Sequence, residues 1–173
     1  MIAAAGEAGD SAYTRDLMLD GERRFDLRTT VAWIEGIGLS VWAYYGLEAM
    51  EMPKRVFHRM LRANYEYPFV KFALTDDDRP MLIAELHGAG LDRNALGRAL
   101  TAVTVVADRL LEETASAVAD RGELPDWTGR VPRNPDLLRI YRAEAESTMP
   151  LFEPPSPRLR RRSRLDRLFD KHP

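Results

Sequence analysis

The residues of this chain that most resemble a metal site are three consecutive aspartates, Asp76–Asp78. Calcium loops place their acidic ligands at alternate positions and add a distal bidentate acid, whereas neighbouring side chains diverge. The run therefore predicts a solvated hairpin tip. The chain has no cysteine, and no two of His58, His87 and His172 have the spacing of metal ligands. We expect neither a metal ion nor another cofactor.

The side chains that catalysis would need also lack partners. A catalytic histidine requires a second group within hydrogen-bond reach. The sequence names none for His58, on the basic side of a predicted helix, or for His87, which precedes Gly88 in a predicted turn. The chain contains no G-x-S-x-G motif, phosphate-binding loop or dinucleotide fingerprint. The sequence therefore predicts that the protein is not an enzyme.

Charge is distributed unevenly, although the formal net charge is only −2. Residues 158–173 carry seven basic and two acidic side chains, a net charge of +5, so the rest of the chain carries −7. The arginines of this tail are Arg158, Arg160, Arg161, Arg162, Arg164 and Arg167. They predict contact with an acidic partner or nucleic acid, or else a solvated tail that folds back on the acidic body.

The chain is organised as one domain with an extension at each end. Residues 1–12 are small and acidic, which predicts a disordered N-terminus, and 150–173 form a proline-rich linker and the arginine-rich tail. Between them we expect a main domain at 13–122, followed by a loop and short helix at 123–149. The start lacks a basic signal region, and no run of about 18 apolar residues exists. We therefore expect a cytoplasmic protein without a membrane span.

The first part of the domain has the composition of β-strands. Asp20-Gly21 is a hairpin signal after a short first strand. Apolar and polar residues alternate from Phe25 to Thr29, in a strand that we expect to begin near Arg24. A turn at Glu35–Gly38 precedes a third strand from Leu39 to Tyr45. These segments predict a three-stranded antiparallel meander.

A helix and a β-hairpin follow the meander. Pro53 opens the helix, where its missing N–H costs nothing, and Asn64 is expected to end it. Leu61 is placed on the apolar stripe of this helix by its spacing. The segments Phe69–Leu74 and Met81–Leu86 predict the two strands of the hairpin.

The last helix of the domain is the longest predicted element. Asp92 is its expected N-cap, and the apolar pattern continues for about 28 residues to Gly122. Its apolar side is wider than one sheet needs, so we expect a second surface, such as another subunit, to cover the rest. The residues expected at a dimer interface or client groove are Val103, Val106, Leu110 and Leu111. Residues 135–147 predict a further short helix.

Aromatic residues crowd the second and third predicted strands. Because side chains alternate along a strand, Trp42 and Tyr44 share one face and Tyr45 takes the other. Core packing accounts for any one of them, but all are harder to bury in so small a sheet. We therefore expect Trp42 and Tyr44 to contribute to a partner or dimer interface.

Three stretches between Arg24 and Glu113 resemble one family: MLRANYEYPFVKFAL, DDDRPMLIAEL and LDRNALGRALTAVTVVADRLLEE. That family is YbjN, which is related in fold to the type III secretion chaperones. The resemblance implies an α+β fold, in which a meander, a helix and a β-hairpin form an antiparallel sheet packed against a long C-terminal helix. It also implies a homodimer that holds partner proteins or peptides without ATP. This chain departs in lacking an evident helix before its strands and in its C-terminal extension.

Two classes of function follow from these observations. The first is a non-catalytic, chaperone-like homodimeric adaptor, which would bind client proteins or peptides by strand addition at a sheet edge or as a helix in a groove. The second is a regulatory or nucleic-acid-associated protein that uses the arginine-rich tail and binds less tightly as salt rises. The family has also been given sensory or regulatory roles.

Overall fold

The computed structural model describes residues 13–88, 90–119, 123–147 and 149, which form one antiparallel β-sheet with helices. The strands, in the spatial order β1-β2-β3-β5-β4, are β1 (Arg15–Leu19), β2 (Leu27–Ile34), β3 (Gly38–Tyr44), β4 (Lys71–Leu74) and β5 (Pro80–Leu86). The helices are α1 (Lys54–Glu66), α2 (Arg93–Arg109), α3 (Ala115–Val118) and α4 (Pro135–Ser147). Within the described part of the chain, no helix has the length and apolar character to span a membrane. The predicted disordered segment 1–12 and the tail 150–173 lie outside the described residues.

The predicted α+β fold is confirmed, since a meander, a helix and a β-hairpin follow one another in the chain. However, the second strand begins at Leu27 and not near Arg24. Asp20 explains the later start, because its buried carboxylate accepts the Asp26 backbone N–H at 2.9 Å. Asp26 itself has a φ of 58°, which no strand residue adopts. Residues 20–26 therefore form a closed turn.

One face of the sheet forms the core together with the helices. Alternate residues of the strands supply its side chains, among them Leu27, Val31, Val41, Ala43 and Leu82. Helix α1 packs against β4, and α2 packs against β5 and β3. Val56 of α1 and Val103 of α2 are fully buried in the same cluster. No described residue of the opposite sheet face belongs to this cluster.

Helix α2 is shorter than the predicted helix of about 28 residues. Asp92 is its N-cap, as predicted, because its carboxylate accepts a backbone N–H of the first turn at 2.6 Å. The regular helix ends at Arg109, and turns lead to the short α3. Buried Thr114 fixes the segment that follows the break, since its hydroxyl donates to the Leu110 carbonyl at 2.6 Å and contacts the Tyr45 hydroxyl at 2.7 Å. Thr104 makes the same backbone bond to Leu100 inside the unbroken helix, so the contact with Tyr45 is what distinguishes Thr114.

Helix α4, whose predicted bounds are those of the structure, covers the wide apolar side of α2. Tyr141 of α4 lies so close to Gly97 of α2 that an added Cβ would come within 2.4 Å of its ring. The Thr101 hydroxyl donates to the Leu137 carbonyl at 3.4 Å. The second surface predicted to cover α2 is therefore a helix of the same chain.

Two carboxylates hold the turn at 20–26 and thereby position β1. Asp108, at the end of α2, accepts the backbone N–H groups of the successive residues 22, 23 and 24 at 2.7, 3.2 and 2.7 Å. Asp20 accepts two guanidinium N–H bonds from Arg133 at 2.8 and 2.7 Å. The first contact attaches the turn to α2, and the second attaches it to the segment before α4.

Acid should loosen this turn, because hydrogen bonds from Arg133 hold the pKa of Asp20 well below its usual range. A carboxyl with a lowered folded-state pKa stabilises the fold above its unfolded pKa of about 3.9, and this stabilisation is lost as the pH falls. We expect Asp20→Asn to lower the free energy of unfolding at neutral pH by about 1–3 kcal/mol. Urea unfolding at neutral pH and at about pH 3 checks this.

Asp136→Asn is the matched control, because Asp136 is exposed and pairs with Arg139 of its own helix. We expect it to change the free energy of unfolding by less than about 0.5 kcal/mol. The difference between wild type and Asp20→Asn should shrink as the pH falls to about 3, because the unfolded wild-type chain then binds a proton at Asp20 that the folded chain does not bind. A difference that stayed constant between the two pH values would contradict the assigned role of the carboxylate.

Candidate protein-binding surface

The sheet face that points away from the core, here called the outer face, carries the predicted aromatic pair. Trp42 and Tyr44 lie on it, whereas Tyr45 is fully buried in the core. The strand register builds one row across this face, with one residue from each strand: Asp16, Thr30, Trp42, Ile83 and Lys71. Trp42 therefore occupies the middle of the outer face.

The outer face is apolar in its middle and charged at its margin. The apolar residues around Trp42 are Met18, Ala32, Ile34, Tyr44, Met81 and Ile83. Tyr44 and Met18 keep 38% and 42% of their surface exposed, whereas Ala32 and Met81 keep only 5% each. Asp16, Arg28 and Glu85 border the apolar part. Protein interfaces have this apolar core and polar rim, whereas a sheet face that meets only water alternates to polar residues.

The two edges of the sheet differ in how their backbone groups are covered. At the β4 edge, the Asn64 side-chain amide donates to the Phe72 carbonyl at 3.0 Å, and its oxygen accepts the Phe72 N–H at 2.6 Å. At the opposite edge, β1 pairs only with β2 among the described strands, and residues 15–18 are exposed. An unpaired edge strand is a template for a strand from another chain. Strand β1 is therefore the open edge of the described sheet.

A second apolar surface, here called the α1 patch, was missed by the sequence reasoning. Its residues are Leu61, Tyr65, Phe69 and Leu74, which keep 66, 76, 64 and 51% of their surface exposed. Val56 and Met60 of the predicted α1 stripe are buried, but Leu61, which was assigned to that stripe, points outward. The spacing of Leu61 and Tyr65, i and i+4, is the signal that would have found the patch.

The four residues assigned to a dimer interface or client groove lie in the chain's own core. Val103, Val106, Leu110 and Leu111 keep 0, 1, 0 and 3% of their surface exposed. The sheet packs on one side of α2 and α4 on another, so these side chains have no surface left for a partner. The arginines from Arg158 to Arg167, assigned to acidic partners, lie outside the described residues.

The predicted hairpin tip and the histidines form no cluster. In the part of the chain that the structure describes, no three His, Asp or Glu side chains are placed to hold a metal ion. The run Asp76–Asp78 forms the tip between β4 and β5, where Arg79 pairs with Asp77 at 3.1 Å. The Nδ1 atom of exposed His87 lies 3.2 Å from the Ile37 carbonyl oxygen.

A buried cation fixes the strand that carries the aromatic pair. Arg24 lies in the core with its guanidinium carbon 4.2 Å from the centre of the Tyr45 ring, and it donates to the Tyr45 carbonyl. Burial lowers the pKa of Arg24 and raises the pKa of the Tyr45 hydroxyl. Both groups lie on the core side of the sheet. They hold the end of β3, next to Tyr44.

Comparisons with known proteins identify one family and two solved structures with partial backbone similarity to this chain. The family model YbjN, described as "Putative bacterial sensory transduction regulator", matches residues 26–115. A chain of the ExsC-ExsE complex is 14% identical, with a TM-score of 0.46 over 58% of this chain and 75% of that chain. A chain of the heterodimeric ExoU-SpcU complex, from the type III secretion system of Pseudomonas aeruginosa, is 26% identical, with a TM-score of 0.43 over 56% of this chain and 79% of that chain. No curated protein matches the chain.

Asn64→Leu should open the β4 edge, because it leaves the N–H and carbonyl of Phe72 without partners. We expect the free energy of unfolding to fall by about 1–3 kcal/mol, and the Phe72 amide to exchange with solvent about 10- to 100-fold faster. Hydrogen exchange read by NMR measures the second effect. Asn94→Leu is the control, since Asn94 accepts the Tyr141 hydroxyl at an exposed position. Unchanged protection of Phe72 in Asn64→Leu would contradict the proposed covering of this edge.

Proposed function

We propose that this chain, which belongs to the YbjN family, is a non-catalytic protein-binding module. It acts in the cytoplasm as a chaperone-like homodimeric adaptor and holds an extended segment of a client protein without ATP. The observation that carries the proposal is the outer face, an apolar sheet surface on which Trp42, Tyr44 and Met18 stay partly exposed, although Ala32 and Met81 beside them are buried. The open β1 edge beside it supplies a second means of binding.

The binding free energies favour a client that contacts both the outer face and the β1 edge. Tryptophan and tyrosine are enriched among the residues that dominate binding energy. Trp42 is half-buried, and Tyr44 and Met18 keep 38% and 42% of their surface exposed. Contacts with these three side chains would therefore supply on the order of 2–4 kcal/mol, since about 1.5–3 kcal/mol applies to a side chain that starts fully exposed. A micromolar complex needs about 8 kcal/mol. Backbone hydrogen bonds to β1 are the available source of the remainder.

The side chains of β1 indicate what kind of client segment fits. A strand beside β1 would meet Leu17 on the core side and Met18 on the outer face, because successive side chains alternate. Two adjacent apolar residues in the client match them. Arg15 is exposed and favours an acidic residue, whereas Asp16 is paired with Arg28 at 3.1 Å. The expected client segment is thus short, extended, apolar in its middle and acidic at a flank.

The rival function, regulation or nucleic-acid association through Arg158 to Arg167, is supported by the charge of the tail alone. The two functions differ in their response to salt. Binding through arginines to phosphates weakens steeply as salt rises, because counterions are released. Apolar contacts at the outer face do not weaken in this way.

Binding at the outer face should change the fluorescence of Trp42. Phenylalanine at positions 33 and 127 leaves Trp42 as the sole tryptophan, since the chain has three. The probe is a tryptophan-free synthetic peptide with two adjacent leucines flanked by glutamates. We expect a blue shift and micromolar affinity, retained from about 0.1 to 0.5 M salt. The same peptide with N-methylated backbone amides should bind at least about tenfold more weakly, because it cannot donate to β1.

Single substitutions test whether the outer face, and not another exposed surface, binds the peptide. Tyr44→Asp and Met18→Asp should each weaken peptide binding about tenfold or more. Ile140→Asp is the matched control, because Ile140 is a similarly exposed apolar residue on α4, and it should bind like the wild type. Absence of any Trp42 response to the peptide would refute the outer face as the site. Binding of nucleic acid only, lost with salt and in a 1–157 truncation, would favour the rival function.

A further inference from the structure

We infer that a groove between the loop at 123–134 and the turn at 20–26, here called the Trp127 groove, binds a proline-rich segment followed by arginines. Its occupant is residues 150–164 of the same chain. The lining residues of the groove include none of the outer face or of β1, so the inference does not depend on the proposed function. It assigns to the arginine-rich tail one of the two fates that the sequence left open, a return to the acidic body.

The Trp127 groove combines an aromatic base with charged walls. Phe25 is buried, and its ring centre lies 6.0 Å from that of half-buried Trp127. Buried Leu111 and half-buried Leu124 extend the apolar part. The groove has a volume of about 440 Å³, within the range of about 300–1,000 Å³ that ligand sites have. It therefore has room for part of a peptide and not only for water.

Ion pairs hold the loop in place before any ligand binds. Arg130 pairs with Asp26 at 2.5 Å, and its guanidinium carbon lies 4.9 Å from the centre of the Phe25 ring. Arg133 donates two N–H bonds to Asp20 at 2.8 and 2.7 Å. The groove is thus preformed. A preformed site binds more tightly, because less conformational entropy is lost on binding.

The aromatic groups of the groove match a polyproline II segment. Such segments have no internal hydrogen bonds, so their backbone carbonyls are free, and they dock on aromatic side chains. The indole N–H of Trp127 donates to no described residue. A carbonyl of the segment would accept this N–H, while the proline rings pack against the indole. The groove therefore offers both contacts that a polyproline II ligand uses.

Charges around the groove favour arginines next to the prolines. The two lining arginines, Arg23 and Arg130, each pair with a carboxylate of the chain at 2.5 Å. Asp126 also lines the groove, and no described cation pairs with it. Exposed Glu123, at the start of the same loop, likewise has no cation partner among the described residues. The charges left without a partner are thus negative, and they attract a basic ligand.

The chain itself carries such a ligand directly after its described part. Residues 150–164 read PLFEPPSPRLRRRSR, with four prolines in the first eight positions and five arginines in the last seven. Pro154 and Pro157 are three positions apart, as in the P-x-x-P ligands of aromatic grooves. The order of prolines and then arginines matches an aromatic base with carboxylates beside it.

The described chain ends close to the groove. Met149, the last described residue, is buried, and its backbone N–H donates to the Glu146 carbonyl at 3.1 Å. The Glu146 carboxylate accepts a hydrogen bond from Arg142 at 3.0 Å, and Arg142 also pairs with Glu22, which lines the groove. Pro154 follows five residues after Met149, a span of up to roughly 17 Å. The segment therefore reaches the groove through a short loop, whose closure costs little entropy.

Docking would also shield the arginines that the rival function needs. With the prolines in the groove, the arginines that follow lie beside the carboxylates of the loop. A polyanion would then have to compete with these carboxylates before it could bind the tail. The groove would thus control whether the tail is available to an outside partner.

The first test compares the NMR signals of the tryptophan indole N–H groups in two full-length chains, wild type and a triple-serine variant. The variant combines Pro154→Ser, Pro155→Ser and Pro157→Ser, which keep the length and the charge of the tail. We expect the Trp127 signal to move in the variant, because its N–H loses the bound carbonyl. An identical Trp127 signal in both chains would overturn the inference.

Two controls show whether the change is local. The signals of Trp33 and Trp42, which lie outside the groove, should stay in place. Pro173→Ser makes the same substitution at a tail position outside the inferred segment, and its Trp127 signal should equal that of wild type.

A synthetic peptide of residues 150–164 with a fluorescent label tests the groove in trans, by anisotropy. The triple-serine variant should bind it at least about tenfold more tightly than wild type, whose groove is already occupied. In the triple-serine variant, Trp127→Ala should weaken binding about tenfold or more, whereas the control Trp33→Ala should not change it. Asp126→Asn should weaken binding about three- to fivefold, whereas Asp136→Asn should leave it unchanged.

The outcomes separate the site from its occupant. Equal affinity of wild type and the triple-serine variant would overturn docking of the chain's own tail. Peptide binding that is unaffected by Trp127→Ala, or no binding at all, would overturn the groove itself. The leucine peptide and Trp42 still decide client binding at the outer face, whichever result is found here.

Discussion

The carboxylate of Asp108 is the contact on which much of this structure depends. Three successive backbone N–H groups of the turn at 20–26 converge on it, and Gly21 approaches so closely that an added Cβ would lie 2.2 Å from one of its oxygens. The same turn carries Arg24 into the core against Tyr45. One carboxylate at the end of α2 therefore joins the first hairpin, the centre of the sheet and the helix layer. Strand β1 owes its position to this junction.

Local signals were enough to predict the order of elements, because alternation, turn residues and helix caps lie within a few positions of one another. They gave the meander, the N-cap at Asp92 and the bounds of α4. These local signals did not predict the ends of elements that depend on contacts between residues far apart in the sequence. The end of α2 depends on Thr114 bonding to Tyr45, which is 69 positions away, and the start of β2 depends on the closed turn at 20–26. No short sequence motif signals either of these contacts.

The sequence likewise predicted one part of the candidate binding surface and not the other. Alternation alone placed Trp42 and Tyr44 on one face. However, an apolar position on a helix indicates only that something covers it, and the sequence cannot say what. Val103 and its neighbours are covered by the sheet and α4, whereas Leu61 is left outside. The covering of the β4 edge by Asn64 likewise requires knowledge of which strand lies beside α1. The sequence shows which positions of a helix are apolar, but it does not show which of them remain exposed in the folded chain.

Helix α4 lies outside the segment that the family model matches, yet it shares its chain with the α2 surface that it covers. Tethering through a short connection gives such a segment an effective concentration in the millimolar range. A helix from another protein with equal affinity for α2 would need a similar concentration to displace half of it. Most proteins in a cell are far more dilute than that. Tethered α4 therefore outcompetes a helix from another protein for the α2 surface. Partners must bind instead to surfaces that no segment of the same chain occupies.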